Sequence, residues 1–273
     1  SRCQFDESRQ VLSALAAESH DVAEYKHNLW LQLDEAEKQN HLRKQLAEAV
    51  EESSKLVGEG KFNEARHTIG QLPDESDELK ELKANLVGQI GANELMSNTA
   101  ALLDKAKQAM KAGRFQDALT PLNEAARKAP RTDAVFFLRA QAHAAVGKFS
   151  DAKRDAEQVA DLAETDEDRQ HARRLNETIR RAQSATVVNR LLDEATAALA
   201  NQRFSQAVES LDKAADLAPD ASVTYFLRAQ ARIASHDVAG AFEDIEKFEQ
   251  LAESTEEKAA AKQLKQAILG ASF

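Results

Sequence analysis

Residues 136–157 read FFLRAQAHAAVGKFSDAKRDAE, and residues 225–246 read YFLRAQARIASHDVAGAFEDIE. A catalytic site is usually written once. A phrase written twice is either a duplicated site or a structural unit that stacks on its own copy. Phe204 follows Phe115 by 89 residues, and at that shift residues 102–175 run against 191–264 without a gap. Of those 74 pairs 29 are identical, far above chance, and self-similarity at a fixed period signals an array architecture.

The composition narrows the architecture. Ala, Leu, Glu, Lys, Gln and Arg, all strong helix formers, dominate the chain. Only 4 Pro and 9 Gly interrupt 273 residues, too little turn chemistry for a β-rich fold. The 46 acidic and 36 basic residues give a net charge of −10, which argues against a phosphate-backbone binder and so against a nucleic-acid partner. The single cysteine, Cys3, excludes an internal disulfide framework and is expected to be inert near a frayed end. No run approaches the roughly 18 consecutive apolar residues of a membrane helix, so membrane insertion is not expected. No signal peptide is legible, and the cytoplasm is favoured.

Each copy holds a shorter echo. Phe149 follows Phe115 by 34 residues, and Val238 follows Phe204 by 34, a period that reads as a helix–turn–helix unit. In the first unit one helix carries Leu102, Ala106 and Ala109 and ends at Gly113. Its partner opens on Phe115, carries Ala118, Leu122 and Ala125, and closes at Pro130. The second unit has Phe136, Ala140, His143, Gly147, Phe149, Ala152 and Val159. The third has Leu191, Ala195, Ala198, Phe204, Ala207, Leu211, Ala214 and Pro219. The fourth has Tyr225, Ala229, Arg232, Val238, Ala241, Ile245 and Phe248. Ala118, Ala152, Ala207 and Ala241 are small where two helices cross, and the aromatics plug the hairpin ends. One hairpin cannot bury its apolar face alone, so neighbours must stack.

On these residues, over about 99–164 and 188–252, the chain resembles the tetratricopeptide repeat family. It departs from the family where Leu replaces large aromatics and where His236 takes the place of Gly147. The resemblance implies an all-α, right-handed superhelical solenoid with extra long helices between repeat pairs.

Three stretches are expected along one continuous solenoid: a degenerate helical region over 1–98, a repeat pair with its connecting helix over 99–187, and a second pair with a C-terminal helix over 188–273. Residues 165–187 lack Pro and Gly and open on Thr165, Asp166 and Glu167, a helix start that STEEKAAAKQLKQAILG repeats from Ser254. That helix is expected to run on through Leu191–Ala200. Gly60, Phe62, Ala65, Ile69, Leu72 and Pro73 fit another turn and second helix. Residues 75–112 fit a long helix or a broken pair with weak points at Gly88 and Gly91, and 21–59 one more long segment. Phe5, Val11, Leu12 and Leu15 look like a second helix without its partner. With AILGASF at the other end, this predicts a fragment of a longer protein or a cap that packs on something.

Candidate sites are few. The seven histidines form no HExxH and no metal-ligand cluster, so neither a metal nor any other cofactor is expected. There is no GxxxxGK[ST], GxGxxG or GxSxG, and no catalytic residue is assigned. Within the repeated phrase, Arg139 and Arg228 are expected to pair with Asp155 and Asp244. By resemblance, one stripe of each first helix lines a concave groove for an extended or helical peptide. Its candidates are Leu103 and Lys107; Phe137, Leu138 and Gln141; Leu192 and Thr196; and Phe226, Leu227 and Gln230. The alternative is that Phe137 and Phe226 pack on the neighbouring helix.

The family's carboxylate clamp for chaperone tails needs Lys and Asn on that stripe. Only Lys107 has that character, which argues against such a clamp. The arginines of DRQHARRLNETIRR read as a solvated, ion-paired face, with an acidic partner as the alternative. Val22, Tyr25, Leu29 and Leu33 form one helical stripe with Trp30 beside it, a packing pattern that would become a contact surface if exposed.

The chain is thus expected to be a non-catalytic adaptor, co-chaperone-like in architecture, that binds a protein or peptide. The alternative is a structural spacer that self-associates end to end within a larger protein.

Overall fold

A computed structural model describes residues 2–15, 20–74 and 76–271. The Cys3 side chain and the last residues of AILGASF lie outside the described residues. Among the described residues every regular element is an α-helix. The helices are α1 (Arg2–Ala14), α2 (His20–Gly58), α3 (Phe62–Gly70), α4 (Asp77–Lys111), α5 (Phe115–Lys128), α6 (Asp133–Ala145), α7 (Phe149–Asp161), α8 (Asp166–Ala200), α9 (Phe204–Leu217), α10 (Ser222–Ala234), α11 (Val238–Leu251) and α12 (Thr255–Ala271). The chain divides into two compact units, Ser1–Ala101 and Leu102–Phe273.

In the first unit, Leu56, Ala65, Ile69, Leu72 and Ile90 make the core, with Phe62 packed against it. The expected turn and second helix at Gly60–Pro73 are therefore present as α3. Neither Gly88 nor Gly91 breaks α4. Helix α1 lies on α2, tied by Arg9 to Asp34 at 2.8 Å and to Glu37 at 2.5 Å. Of the expected packing stripe on α2, Leu29 and Leu33 are half-buried, as is Trp30. Val22 and Tyr25 stand 44% and 66% exposed, because α1 covers only the part of α2 that follows them.

In the second unit each helix packs on its successor from α5 through α12. The crossing alanines Ala118, Ala152, Ala207 and Ala241 have no exposed surface. One turn further on Leu122, Leu211 and Ile245 are equally buried, a small-then-large contact that the second hairpin replaces with a second alanine, Ala156.

The turns obey one rule. Gly60, Gly113, Gly147, Gln202 and His236 all have positive φ, between 59° and 77°. In the second hairpin the Gly147 N–H donates to the Ala144 carbonyl and the Lys148 N–H to the His143 carbonyl. The same pair of bonds recurs at Gly60, Gly113, Gln202 and His236, closing the otherwise orphaned carbonyls of the first helix.

The long helices start at equivalent places. Asp77, Asp166 and Thr255 follow one another at intervals of 89 residues. Thr165 and Asp168 form a capping box, each side chain accepting from the other's backbone N–H. Ser254 and Glu257 repeat it, and Ser76 accepts from the Leu79 N–H. Helix α8 belongs to two cores. Ala172, Leu175 and Ile179 pack with α6 and α7, whereas Val188, Leu191 and Ala195 pack with α9 and α10.

Candidate functional site

Helix α6 has four differently occupied sides. Phe136, Phe137, Ala140 and Ala144 face the core shared with α7 and α8. Leu138, Ala142 and Val146 lie on the opposite side, against α5. Arg139 and His143 turn to Asp155. Ala134, Gln141 and Ala145 remain, one exposed stripe at i, i+7 and i+11. Helix α10 repeats the division, with Tyr225, Phe226, Ala229 and Ile233 on one core and Leu227 and Ala231 on the other. Its outward stripe is Val223, Gln230 and Ala234, with Gln230 half-buried.

The candidate groove residues separate along the same lines. Leu103, Phe137, Leu192 and Phe226 are half-buried against cores. Phe137 stacks on His171 at 4.5 Å between centroids, and Phe226 meets Phe248 at 5.2 Å. Leu138 and Leu227 pack on the preceding hairpin. Lys107, Gln141 and Thr196 are exposed. The Thr196 hydroxyl donates to the Leu192 carbonyl of its own helix at 2.7 Å. The side chains of Gln141 and Gln230 make no hydrogen bond among the described residues. Among the described residues no group of His, Cys, Asp or Glu could hold a metal ion, and no helix is long and apolar enough to cross a membrane.

Behind each outward stripe sits a buried ion cluster. Arg139 donates from Nε to Asp155 at 2.9 Å, from its second terminal nitrogen to the same carboxylate at 2.5 Å, and to Asn123 at 3.2 Å. Arg228 grips Asp244 in the same way at 2.6–3.0 Å and reaches Asp212 at 2.7 Å. Asp155 and Asp244 are only 2% and 1% exposed, so each guanidinium supplies the charge its carboxylate requires.

The copies differ in the third member. Arg232 donates to Asp244 at 2.9 Å and to the Gly240 carbonyl at 3.0 Å. His143, its equivalent, keeps Nε2 3.8 Å from Asp155 and leaves Nδ1 buried without a partner. Burial lowers the His143 pKa below its ordinary value, and the Asp155 charge only partly offsets this. Burial also pulls on Arg228, but its bonds to Asp244 and Asp212 together outweigh that and raise its pKa.

The outer partners were not anticipated from sequence. The signal was present, since at the 89-residue shift Asn123 falls on Asp212 and His143 on Arg232, a joint change that keeps each cluster neutral.

Helix pairs at a 34-residue period, an alanine at each crossing and a left-handed residue at each turn define tetratricopeptide-type hairpins. No protein-family model and no curated protein matches the chain. Among solved structures it is similar to MamA from Desulfovibrio magneticus, at 15% identity over 63% of this chain and 92% of that one, TM-score 0.27. It is similar to a tetratricopeptide repeat protein from Parabacteroides merdae, at 17% identity over 83% and 99%, TM-score 0.27. It is also similar to the TPR2AB domain of yeast Sti1 in a complex with pHSP90, at 14% identity over 86% and 100%, TM-score 0.28.

Proposed function

We propose that the chain is a non-catalytic scaffold that binds a protein segment along the outward stripes of its first helices. Lys107, Gln141, Thr196 and Gln230 would contact the partner. Leu103, Phe137, Leu192 and Phe226 would form the apolar floor, with Leu138 and Leu227 fixing the helices that present it. The observation that carries this reading is the pair Gln141 and Gln230, at the same place in two copies. Each keeps both amide donors and its acceptor free among neighbours otherwise consumed by packing. An uncharged amide row suits an extended backbone better than an acidic tail, since a carboxylate would need a cation at each step.

The test is capture from source-cell lysate by the wild type and by a Gln141→Arg/Gln230→Arg variant of equal helicity. Specific loss of a partner from the variant is the expected result. A partner held equally by both would remove the stripe from the account.

A second reading, a self-associating spacer, rests on Val11 and Tyr25, each 66% exposed at one end of the first unit. A mass that rises with concentration, and falls back when both residues are replaced by Ser, would favour it.

A further inference from the structure

The middle of α8 is only thinly covered. Its buried residues are Ala172, Leu175 and Ile179, then Val188, Leu191 and Ala195, and none of residues 180–187 between the two groups is buried. Two turns of a packed helix would normally contribute at least two core residues there. Instead a cleft of about 430 Å³ opens between α8 and the α9–α10 turn. Ala185, Val188, Leu217 and Ala218 give it an apolar floor, and Leu217 is 45% exposed. Arg180 and Arg181 stand on its rim with Ser184 and Asn189, and Asp220 lies on its wall.

The rim is charged in an unusual way for a chain of net charge −10. Arg169 is paired with Asp166, and Arg181 with Glu177, both at 2.5 Å. Arg173, Arg174 and Arg180 have no carboxylate partner among the described residues. Arg173 and Arg180 are two turns apart on one side of the helix, so their charges sum along the approach to the cleft. The equivalent stretch of α4, residues 91–98, holds no basic residue, so this is not a general feature of the repeat.

We infer that this cleft is a second docking site, for an acidic amphipathic segment of a partner protein. Leucine-sized side chains would enter the floor, and flanking carboxylates would pair with Arg173 and Arg180. A single-stranded nucleic acid would satisfy the arginines but leave the Val188 and Leu217 floor empty, so the peptide is the better fit. The site is separate from the Gln141 and Gln230 stripe and stands or falls without it.

The test is fluorescence anisotropy with a labelled helical peptide, leucines at i and i+4 and glutamates on either side, and a twin with every Glu replaced by Gln. The wild-type chain is expected to bind the acidic peptide, more weakly as salt rises, and the twin at least tenfold less well. Arg173→Glu/Arg180→Glu should reduce affinity at least tenfold. Ala185→Phe, which fills the cleft from an exposed position, should do the same. Gln141→Arg/Gln230→Arg should bind as the wild type does. No binding by the wild type, equal binding of the twin, undiminished binding by the arginine variant, or displacement of the peptide by a single-stranded oligonucleotide would overturn the inference.

Discussion

The guanidinium of Arg228 holds the buried carboxylate of Asp244 through one edge, Nε and a terminal nitrogen, and 89 residues earlier Arg139 holds Asp155 in the same geometry. In each case an arginine of the first helix is locked to an aspartate of the second, which fixes how the hairpin closes. The recurring Arg of the repeated phrase is thereby structural, and so are its aromatic and alanine letters. The glutamine is the letter that remains outside.

Loss of the buried carboxylate should therefore be severe and unequal between copies. Asp155→Asn leaves Arg139 without a carboxylate partner among the described residues, whereas Asp244→Asn leaves Arg228 beside Asp212 and Arg232 beside Asp237. The expected cost is about 3–5 kcal/mol for Asp155→Asn and less for Asp244→Asn, where two further carboxylates stay beside the arginines. Urea denaturation of the two variants checks the order.

The histidine cluster should make stability depend on pH. Burial sets the folded His143 pKa below its ordinary value of 6.5. On acidification the unfolded chain therefore takes up this proton first. The contribution is present above about 6.5 and is lost as pH falls from there towards the folded value. His143→Gln removes that part of the dependence. Denaturation midpoints of the two proteins should converge as the pH is lowered from about 7.5 to 5, and parallel curves would contradict the assignment.

A buried hydroxyl offers a gain. Thr224 is fully buried and its Oγ1 has no hydrogen-bond partner, while Val135 fills the equivalent place in the other copy. Thr224→Val should stabilise by about 1 kcal/mol, the cost of an unsatisfied buried donor, and Val135→Thr should destabilise by a similar amount. Thermal denaturation of both variants measures this.

The turns predict opposite signs at equivalent positions. Gln202 and His236 hold φ of 59° and 63°, where Gly113 and Gly147 hold 72° and 77°. A non-glycine residue there costs about 1–2 kcal/mol, so Gly113→Ala and Gly147→Ala should lower the melting temperature. Gln202→Gly and His236→Gly should raise it by a smaller margin, because glycine also frees the unfolded chain.

Much of this architecture is legible in the sequence because it is written in spacing. The 34- and 89-residue intervals place the hairpins, the crossing alanines and the start of α8 at Thr165, and the structure has all of them. The pairing of Arg139 with Asp155 is legible too, since the two lie on facing turns of successive helices. The faces of α6 were harder to read. A helix packed on two opposite sides has no single apolar stripe, so Phe137 and Leu138, adjacent in sequence, enter different cores. The long helix expected over 75–112 is present as α4, but its Ser76 cap was not read, because Ser76 lies outside the gap-free alignment of the two copies. The thin cover over the middle of α8 leaves no mark in periodicity, since Ala182, Ala185 and Val187 look like core residues, and the structure buries none of them fully.

The most direct test of the proposed scaffold function is site-specific photo-crosslinking in source-cell lysate. A photoreactive amino acid would replace Gln141, Gln230 or, as a control, Glu157, which is exposed on α7. The account predicts that positions 141 and 230 trap the same protein and position 157 does not. Equal trapping from all three, or none from 141 and 230 while the lysate still yields a bound partner, would contradict it.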